Sequence, residues 1–98
     1  MAKYVFVYRG GGAPASEEEG QKLMAAWMGW IGGLGDSVIE VGNPFGSSKT
    51  VGSGSGSGLS GYSIIDADSL DDAAAKADGC PVLQSPDGAV DVYEAIAM

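Results

Sequence analysis

Apolar residues along the chain fall into two kinds of pattern, and each change of pattern marks a new element. Short, mostly apolar runs that are rich in Val, Ile and Tyr and bounded by glycine or polar residues predict strands. Longer runs with apolar residues three and four positions apart predict helices. The predicted strands cover 3–8, 37–42, 61–66 and 89–96, and the predicted helices cover 17–34 and 70–78.

The helix predicted over 70–78 has signals at both ends. Ser69 precedes it and Asp72 follows three residues later, which is the acidic form of a capping box. Gly79 is expected to stop the helix in a left-handed conformation, and Pro81 prevents its continuation. The apolar face of this helix consists almost wholly of alanine, so we expect it to lie close against a sheet.

The helix predicted over 17–34 begins with a second capping box, formed by Ser16 and Glu19. Gly35 is expected to end it. Large apolar side chains recur along it at helical spacing, namely Leu23, Trp27, Trp30, Ile31 and Leu34. Core packing or dimer contact is the favoured interpretation of the two tryptophans, and a ligand platform is the alternative.

The element order β-α-β followed by β-α-β predicts one α+β domain over 1–98 with a ferredoxin-like plan. In that plan an antiparallel sheet carries two helices on one face. The central strand 3–8 turns tyrosine and phenylalanine one way and Val5 and Val7 the other, so both of its faces are apolar. Because helices cover only one face, we expect a second copy of the chain to cover the other, as a homodimer.

Composition narrows the class of protein. The chain has 98 residues, 13 acidic and 5 basic, and a net charge of -8. Such an acidic protein lacks the basic patch that binding to nucleic acid or an anionic membrane requires, so neither partner is expected. No apolar run is long enough to cross a bilayer, and no signal-peptide pattern follows Lys3. With one cysteine and hence no intrachain disulfide, we expect a cytoplasmic protein.

The sequence does not match the motifs of phosphate-binding loops or calcium-binding loops. A phosphate-binding loop needs its lysine directly after a glycine and a helix after that, whereas Lys49 follows Ser48 and precedes no predicted helix. A calcium loop starting at Asp66 would need Gly and Glu where Asp71 and Ala77 stand. Helix capping explains the carboxylates of this segment better. No metal and no cofactor are therefore expected.

Nucleophilic catalysis is restricted by the absence of histidine from the chain. No Ser-His-Asp or Cys-His arrangement can form. Cys80 follows the C-terminus of a predicted helix, where the negative end of the helix dipole raises a thiol pKa. We expect Cys80 to be inert.

The segment 46–58 is rich in glycine and serine, and it joins the second and third predicted strands. A flexible connection is the favoured interpretation. The alternative is a lid or a backbone nest for an anion, with Lys49 and Arg9 nearby.

Motifs spread over nearly the whole chain carry a resemblance to a known family. In the first half they are Arg9-Gly10-Gly11, Trp27-Met28-Gly29-Trp30 and Gly42-Asn43-Pro44. The more distinctive second half contains Gly61-Tyr62, the run ADSLDDA at 67–73, Cys80-Pro81 and the strand end Val92-Tyr93-Glu94. With these motifs the chain resembles the YCII-related domain family.

The resemblance implies a small ferredoxin-like protein that assembles as a dimeric α/β barrel. Most members have no assigned activity, some act in small-molecule chemistry such as dehydrochlorination, and others are accessory modules. A His–Asp pair near the first helix has been proposed as catalytic in part of the family. This chain has no histidine, and Asp36 is its nearest match for the carboxylate. The Asp-Gly-Pro-Phe sequence of one large branch is also missing.

These observations favour a non-enzymatic, dimeric small-molecule-binding or accessory protein. The alternative is a small lyase or hydrolase-like enzyme with a pocket near the dimer interface. The residues expected to line a ligand pocket are Tyr8, Arg9, Asn43, Phe45 and Lys49. If there is a ligand, we expect Arg9 or Lys49 to pair with a small carboxylate while the aromatic residues bury its apolar part.

Overall fold

Four strands and two helices follow one another in the order that the hydrophobic pattern predicts. The computed structural model describes residues 2–10, 16–53 and 58–96. In these ranges the elements are β1 (Ala2–Arg9), α1 (Glu17–Leu34), β2 (Val38–Glu40), β3 (Leu59–Ala67), α2 (Leu70–Ala77) and β4 (Ala89–Glu94). Short 3-10 turns at Gly35–Ser37 and Pro81–Gln84 follow the two helices.

The strands form one antiparallel sheet in the order β2-β3-β1-β4, so the first strand of each half is central. This topology confirms the predicted α+β, ferredoxin-like fold. In the register, Tyr8 of β1 pairs with Gly61 of β3 on one side and Val90 of β4 on the other.

Side chains of the central strands alternate between a helix-covered face and an open face. Tyr4, Phe6 and Tyr8 are buried on the covered face, where Ile65 is also buried. Val5 and Val7 lie on the open face and are only partly buried. The period of two read from the sequence therefore separates the core of β1 from its second apolar face.

Both predicted helix starts are confirmed by side-chain caps. Ser16 Oγ accepts a hydrogen bond from the backbone N–H of Glu19 over 3.1 Å, and Ser69 Oγ accepts one from Asp72 over 3.0 Å. Gly35 ends α1 with φ of 56°, a positive value that glycine adopts without steric cost. No helix within the described ranges is long and apolar enough to span a membrane.

The expected left-handed stop at Gly79 is wrong. Gly79 is not among the described glycines with positive φ. α2 ends at Ala77, and the next residue, Asp78, caps it by donating its N–H to the Ala75 carbonyl over 3.3 Å. A Cβ at Gly79 would lie 3.3 Å from Cδ1 of Trp30. The residue is small because an aromatic ring of α1 packs against the chain there.

β2 is shorter than the predicted strand 37–42, since its pairing with β3 is irregular between Val38 and Glu40 and the chain turns at Gly42 soon after. Gly42 has φ of 80°, and a Cβ there would collide with the carbonyl oxygen of Tyr62. Beyond it the chain still follows the sheet edge, since Asn43 accepts a hydrogen bond from the Tyr62 N–H and Pro44 bridges to Gly61. In the 46–58 loop, residues 46–53 are exposed and 54–57 lie outside the described ranges.

We predict that Gly42→Ala lowers the free energy of unfolding by at least about 2 kcal/mol, since it combines an unfavourable φ with a backbone collision. Urea unfolding followed by circular dichroism measures the change. Gly46→Ala is the control, because its φ is not positive and its Cβ would meet nothing within 4 Å. Equal losses for the two variants would contradict the assigned role of Gly42.

Candidate functional site

The two helices pack differently on the same sheet face. α2 places Ala73 and Ala77 in the core, so it lies close to the sheet. α1 carries tryptophan, leucine, isoleucine and methionine, yet none of its residues is fully buried. The sheet residues at the α1 end are the small Gly61 and Ser63. Large side chains on the helix therefore stand over small ones on the strand, and space remains between them.

That space is a cavity of about 910 Å³. Its volume falls within the usual range for small-molecule sites. The cavity lies on the helix-covered face, with its floor on the sheet and its roof on α1. The roof consists of Leu23, Met24, Trp27, Met28 and Ile31, and the floor includes Tyr8, Gly61 and Ser63. The remaining lining includes the buried Pro81 and Val82 and, exposed or half-buried at the rim, Glu19, residues 41–44, Ser60, Gln84 and Ser85.

The two tryptophans of α1 have different roles. Trp27 lines the cavity and meets the ring of Tyr8 edge to face, with centroids 4.9 Å apart. Trp30 lies 5.6 Å from Trp27, stacks near Phe6 at 6.1 Å, and donates its indole N–H to the carbonyl of Lys76 over 3.1 Å. Trp30 therefore ties α1 to the core and to α2, whereas Trp27 presents a ring to the cavity.

A buried pair of hydroxyl groups, Tyr8 and Ser63, lies at the cavity floor. Tyr8 donates a hydrogen bond to Ser63 Oγ over 2.7 Å, and Ser63 donates to the Val41 carbonyl over 2.5 Å. Among the described residues, Ser63 is the one polar residue that is buried, with 2% of its surface exposed. The hydroxyl pair thus forms a short hydrogen-bonded chain that ends on the backbone beside β2.

Burial raises the pKa of Tyr8 to about 12, and this effect outweighs the opposing effect of its hydrogen bond to Ser63. At neutral pH the phenol therefore keeps its proton. Tyr8 can take part in hydrogen bonds, but it does not act as a base.

The five residues expected to line a pocket occupy different surroundings. Tyr8 and Asn43 line the cavity, and the other three are not among its described lining residues. Arg9 points away with Val5 and Val7 and forms an ion pair with Asp91, with 2.7 Å between Nε and Oδ2.

Phe45 and Lys49 lie farther along the chain, in the segment that leaves the sheet edge. Phe45 stacks on Tyr62 with centroids 5.7 Å apart, and Lys49 is exposed. No lysine or arginine belongs to the described lining of the cavity.

Sequence reasoning missed the residues that shape the floor, Gly61 and Ser63. The available signal was the phase of β3. Positions 61, 63, 65 and 67 share the core-facing side, and a glycine and a serine occupy the first two. Small or polar residues at core-facing positions indicate either close packing or a cavity. Which of the two forms depends on the size of the side chains on the helix that covers those positions.

Other candidate chemical groups have structural explanations. Asp72 accepts a hydrogen bond from the backbone N–H of Asp68 and pairs with Lys76, and these contacts, the former first, lower the pKa of its carboxyl. Cys80 is buried, and burial raises the pKa of its thiol to about 11. In the described part of the chain, no three His, Cys, Asp or Glu side chains are grouped to hold a metal ion.

Comparison with known proteins supports the fold alone. No family model matches the chain, and no curated protein matches it either. Among solved structures it resembles 5-chloro-2-hydroxyhydroquinone dehydrochlorinase from Burkholderia phenoliruptrix, in complex with 2,5-dihydroxybenzoquinone. The two share 21% identity over 97% of this chain and 95% of the other, with a TM-score of 0.58. At this identity, the likeness establishes a shared fold.

We predict that Cys80 in the folded protein reacts with Ellman's reagent at least a hundredfold more slowly than in urea near pH 8. A thiol pKa of about 11, against 9.0 for the free group, lowers the thiolate fraction by about that factor. Absorbance of the released thiolate measures both rates. A native rate matching the unfolded one would contradict the burial of Cys80.

Proposed function

We propose that the protein binds a small, largely apolar molecule with an aromatic or quinoid ring in the cavity beneath α1. The cavity itself carries this proposal, because a pocket of about 910 Å³ lined mainly by apolar side chains has the size and character of a small-molecule site. It opens to solvent on the α1 side, where Met24 and Met28 are 63% and 69% exposed. Apolar walls with a few polar groups are typical of ligand sites.

The ring is inferred from the surfaces that would contact it. Trp27 and Tyr8 present aromatic edges and faces, and Met24 and Met28 add flexible, polarisable contacts from α1. The dehydrochlorinase that shares this fold was solved with a quinone, which fits a ligand of this shape.

The ligand is proposed to be neutral rather than a carboxylate. The described lining contains no basic side chain, and Arg9 is engaged by Asp91 on the open face. Transfer of a carboxylate into an apolar cavity without a cationic partner is strongly unfavourable. A small carboxylate-bearing molecule is therefore the less favoured ligand.

Binding without catalysis is the favoured role. The chain has no histidine, Tyr8 retains its proton, and Glu19 is the carboxylate among the described lining residues. Glu19 belongs to the exposed first turn of α1, where its backbone N–H completes the Ser16 cap. General acid–base catalysis usually depends on a group whose pKa is tuned near the working pH, whereas burial moves the pKa of Tyr8 away from neutrality.

A small lyase or hydrolase-like enzyme is the second candidate, favoured by the fold shared with a dehydrochlorinase. Incubation with 5-chloro-2-hydroxyhydroquinone tests it directly by chloride release. Release at the uncatalysed rate supports the binding role. Release that the protein accelerates, and that Glu19→Gln abolishes, would replace it.

We further propose that the chain belongs to the YCII-related family and forms a homodimer through the open sheet face. Val5 and Val7 lie beside Ile64 and Tyr62 on that face, and Tyr93 flanks them with 58% of its surface exposed. Charges of both signs border the patch, at Lys3 and Asp66 and at Arg9 and Asp91. A patch with both signs at its edges suits the self-complementary contact of a two-fold dimer.

We predict that 2-naphthol binds the protein and that Met28→Glu weakens this binding about tenfold, because a carboxylate replaces an apolar contact in the cavity roof. Calorimetric titration measures the affinities. Ala25→Glu is the matched control, since it adds the same charge to an exposed position of α1 outside the lining. Equal weakening by both variants would contradict binding in the cavity, and tighter binding of 2-naphthoate would contradict a neutral ligand.

We predict that Val7→Asp converts a dimer into a monomer, because it replaces an apolar contact of the proposed interface with a second carboxylate directly opposite Asp91. Sedimentation equilibrium measures the mass. Val51→Asp is the control, as Val51 is 95% exposed in the loop. A monomeric wild-type protein, or a dimeric Val7→Asp variant, would contradict dimerisation through this face.

A further inference from the structure

The hydrogens of the hydroxyl pair (Tyr8 and Ser63) are both used inside the protein. A backbone carbonyl only accepts hydrogen bonds, so the contact between Ser63 and the Val41 carbonyl requires the Ser63 hydroxyl to donate. Ser63 then has no hydrogen left for Tyr8, and Tyr8 must donate to Ser63. The backbone thereby sets the direction of the whole chain of hydrogen bonds.

This direction leaves the phenol oxygen of Tyr8 with lone pairs and no hydrogen to offer. A hydroxyl carries one hydrogen and two acceptor positions, and Tyr8 donates its one hydrogen to Ser63. A ligand at the cavity floor therefore meets an acceptor. If the ligand offered only an acceptor there, two oxygens would face each other without a shared hydrogen, and their desolvation would go uncompensated.

We propose that the hydroxyl pair makes the cavity selective for ligands that donate a hydrogen bond at the floor, such as phenols, hydroquinones and hydroxyquinones, over ethers and hydroxyl-free quinones of the same shape. This inference rests on the ligand-binding function proposed above and specifies its substrate class. The other polar side chains of the described lining are exposed or half-buried, namely Glu19, Asn43, Ser60, Gln84 and Ser85. Tyr8 is the buried polar group whose hydrogen the protein itself uses, so we assign the selectivity at the floor to Tyr8.

Two probes isolate this hydrogen bond. 2-Naphthol donates and accepts, whereas 2-methoxynaphthalene has the same ring and only accepts. The methyl ether is also more apolar, so a single comparison mixes two effects. The ratio of the two affinities, compared between wild type and variants, cancels the difference in hydrophobicity.

Calorimetric titration of both probes tests the selectivity. We expect Tyr8→Phe to shift the affinity ratio toward the ether by roughly three- to tenfold, the value of one net hydrogen bond. Ser63→Ala releases the Tyr8 hydrogen, so the ether should gain affinity while 2-naphthol changes less. Tyr93→Phe removes an exposed phenol from the open face and should leave the ratio unchanged. Circular dichroism verifies that each variant is folded.

The outcomes separate the two proposals. Binding of both probes with a ratio that none of the variants alters would overturn the selectivity and leave the cavity function intact. A failure of both probes to bind wild type up to their solubility limits would overturn both proposals. Binding of the ether without binding of 2-naphthol would overturn the selectivity, whereas binding of 2-naphthol alone would support it. A ratio that shifts in Tyr8→Phe and Ser63→Ala, and not in Tyr93→Phe, is the expected result.

Discussion

The contact between Trp30 and the core is the interaction on which the rest of the structure depends. α1 has no fully buried residue, so it is held to the sheet by the partly buried Trp27, Trp30 and Leu34. Trp30 makes three of the contacts that hold α1 in place. It stacks near Phe6, donates a hydrogen bond to the Lys76 carbonyl and packs against Gly79, which has no side chain. One side chain thus links α1 to the sheet and to the end of α2.

Trp27 bounds the cavity on the side of α1. Its ring meets Tyr8 edge to face, and the small residues Gly61 and Ser63 line the same cavity on the side of the sheet. At the other end of the sheet, α2 closes the same kind of gap with Ala73 and Ala77. α2 has small side chains facing the sheet and packs closely against it. α1 has large side chains facing small strand residues, and open space remains beneath it.

The features that could be predicted from the sequence are those set by neighbouring residues. Period-two alternation in β1 and the caps at Ser16 and Ser69 involve residues within a few positions of one another, and they give the fold class. The features that could not be predicted join distant residues. Arg9 meets Asp91 across 82 positions, and Tyr8 meets Ser63 across 55. Gly79 looked like a helix stop because its packing partner, Trp30, is 49 positions away in the sequence.

β1 serves both proposed surfaces, and its geometry keeps them separate. Tyr8 faces the cavity, whereas the adjacent Val7 faces the open side where a second copy is proposed to bind. Because neighbouring side chains of a strand point to opposite faces, a change at one position leaves the other face chemically intact. The backbone hydrogen bonds of β1, shared with β3 and β4, hold both side chains in place. The proposed ligand selectivity and the proposed assembly should therefore be separable by mutation, although both depend on one strand.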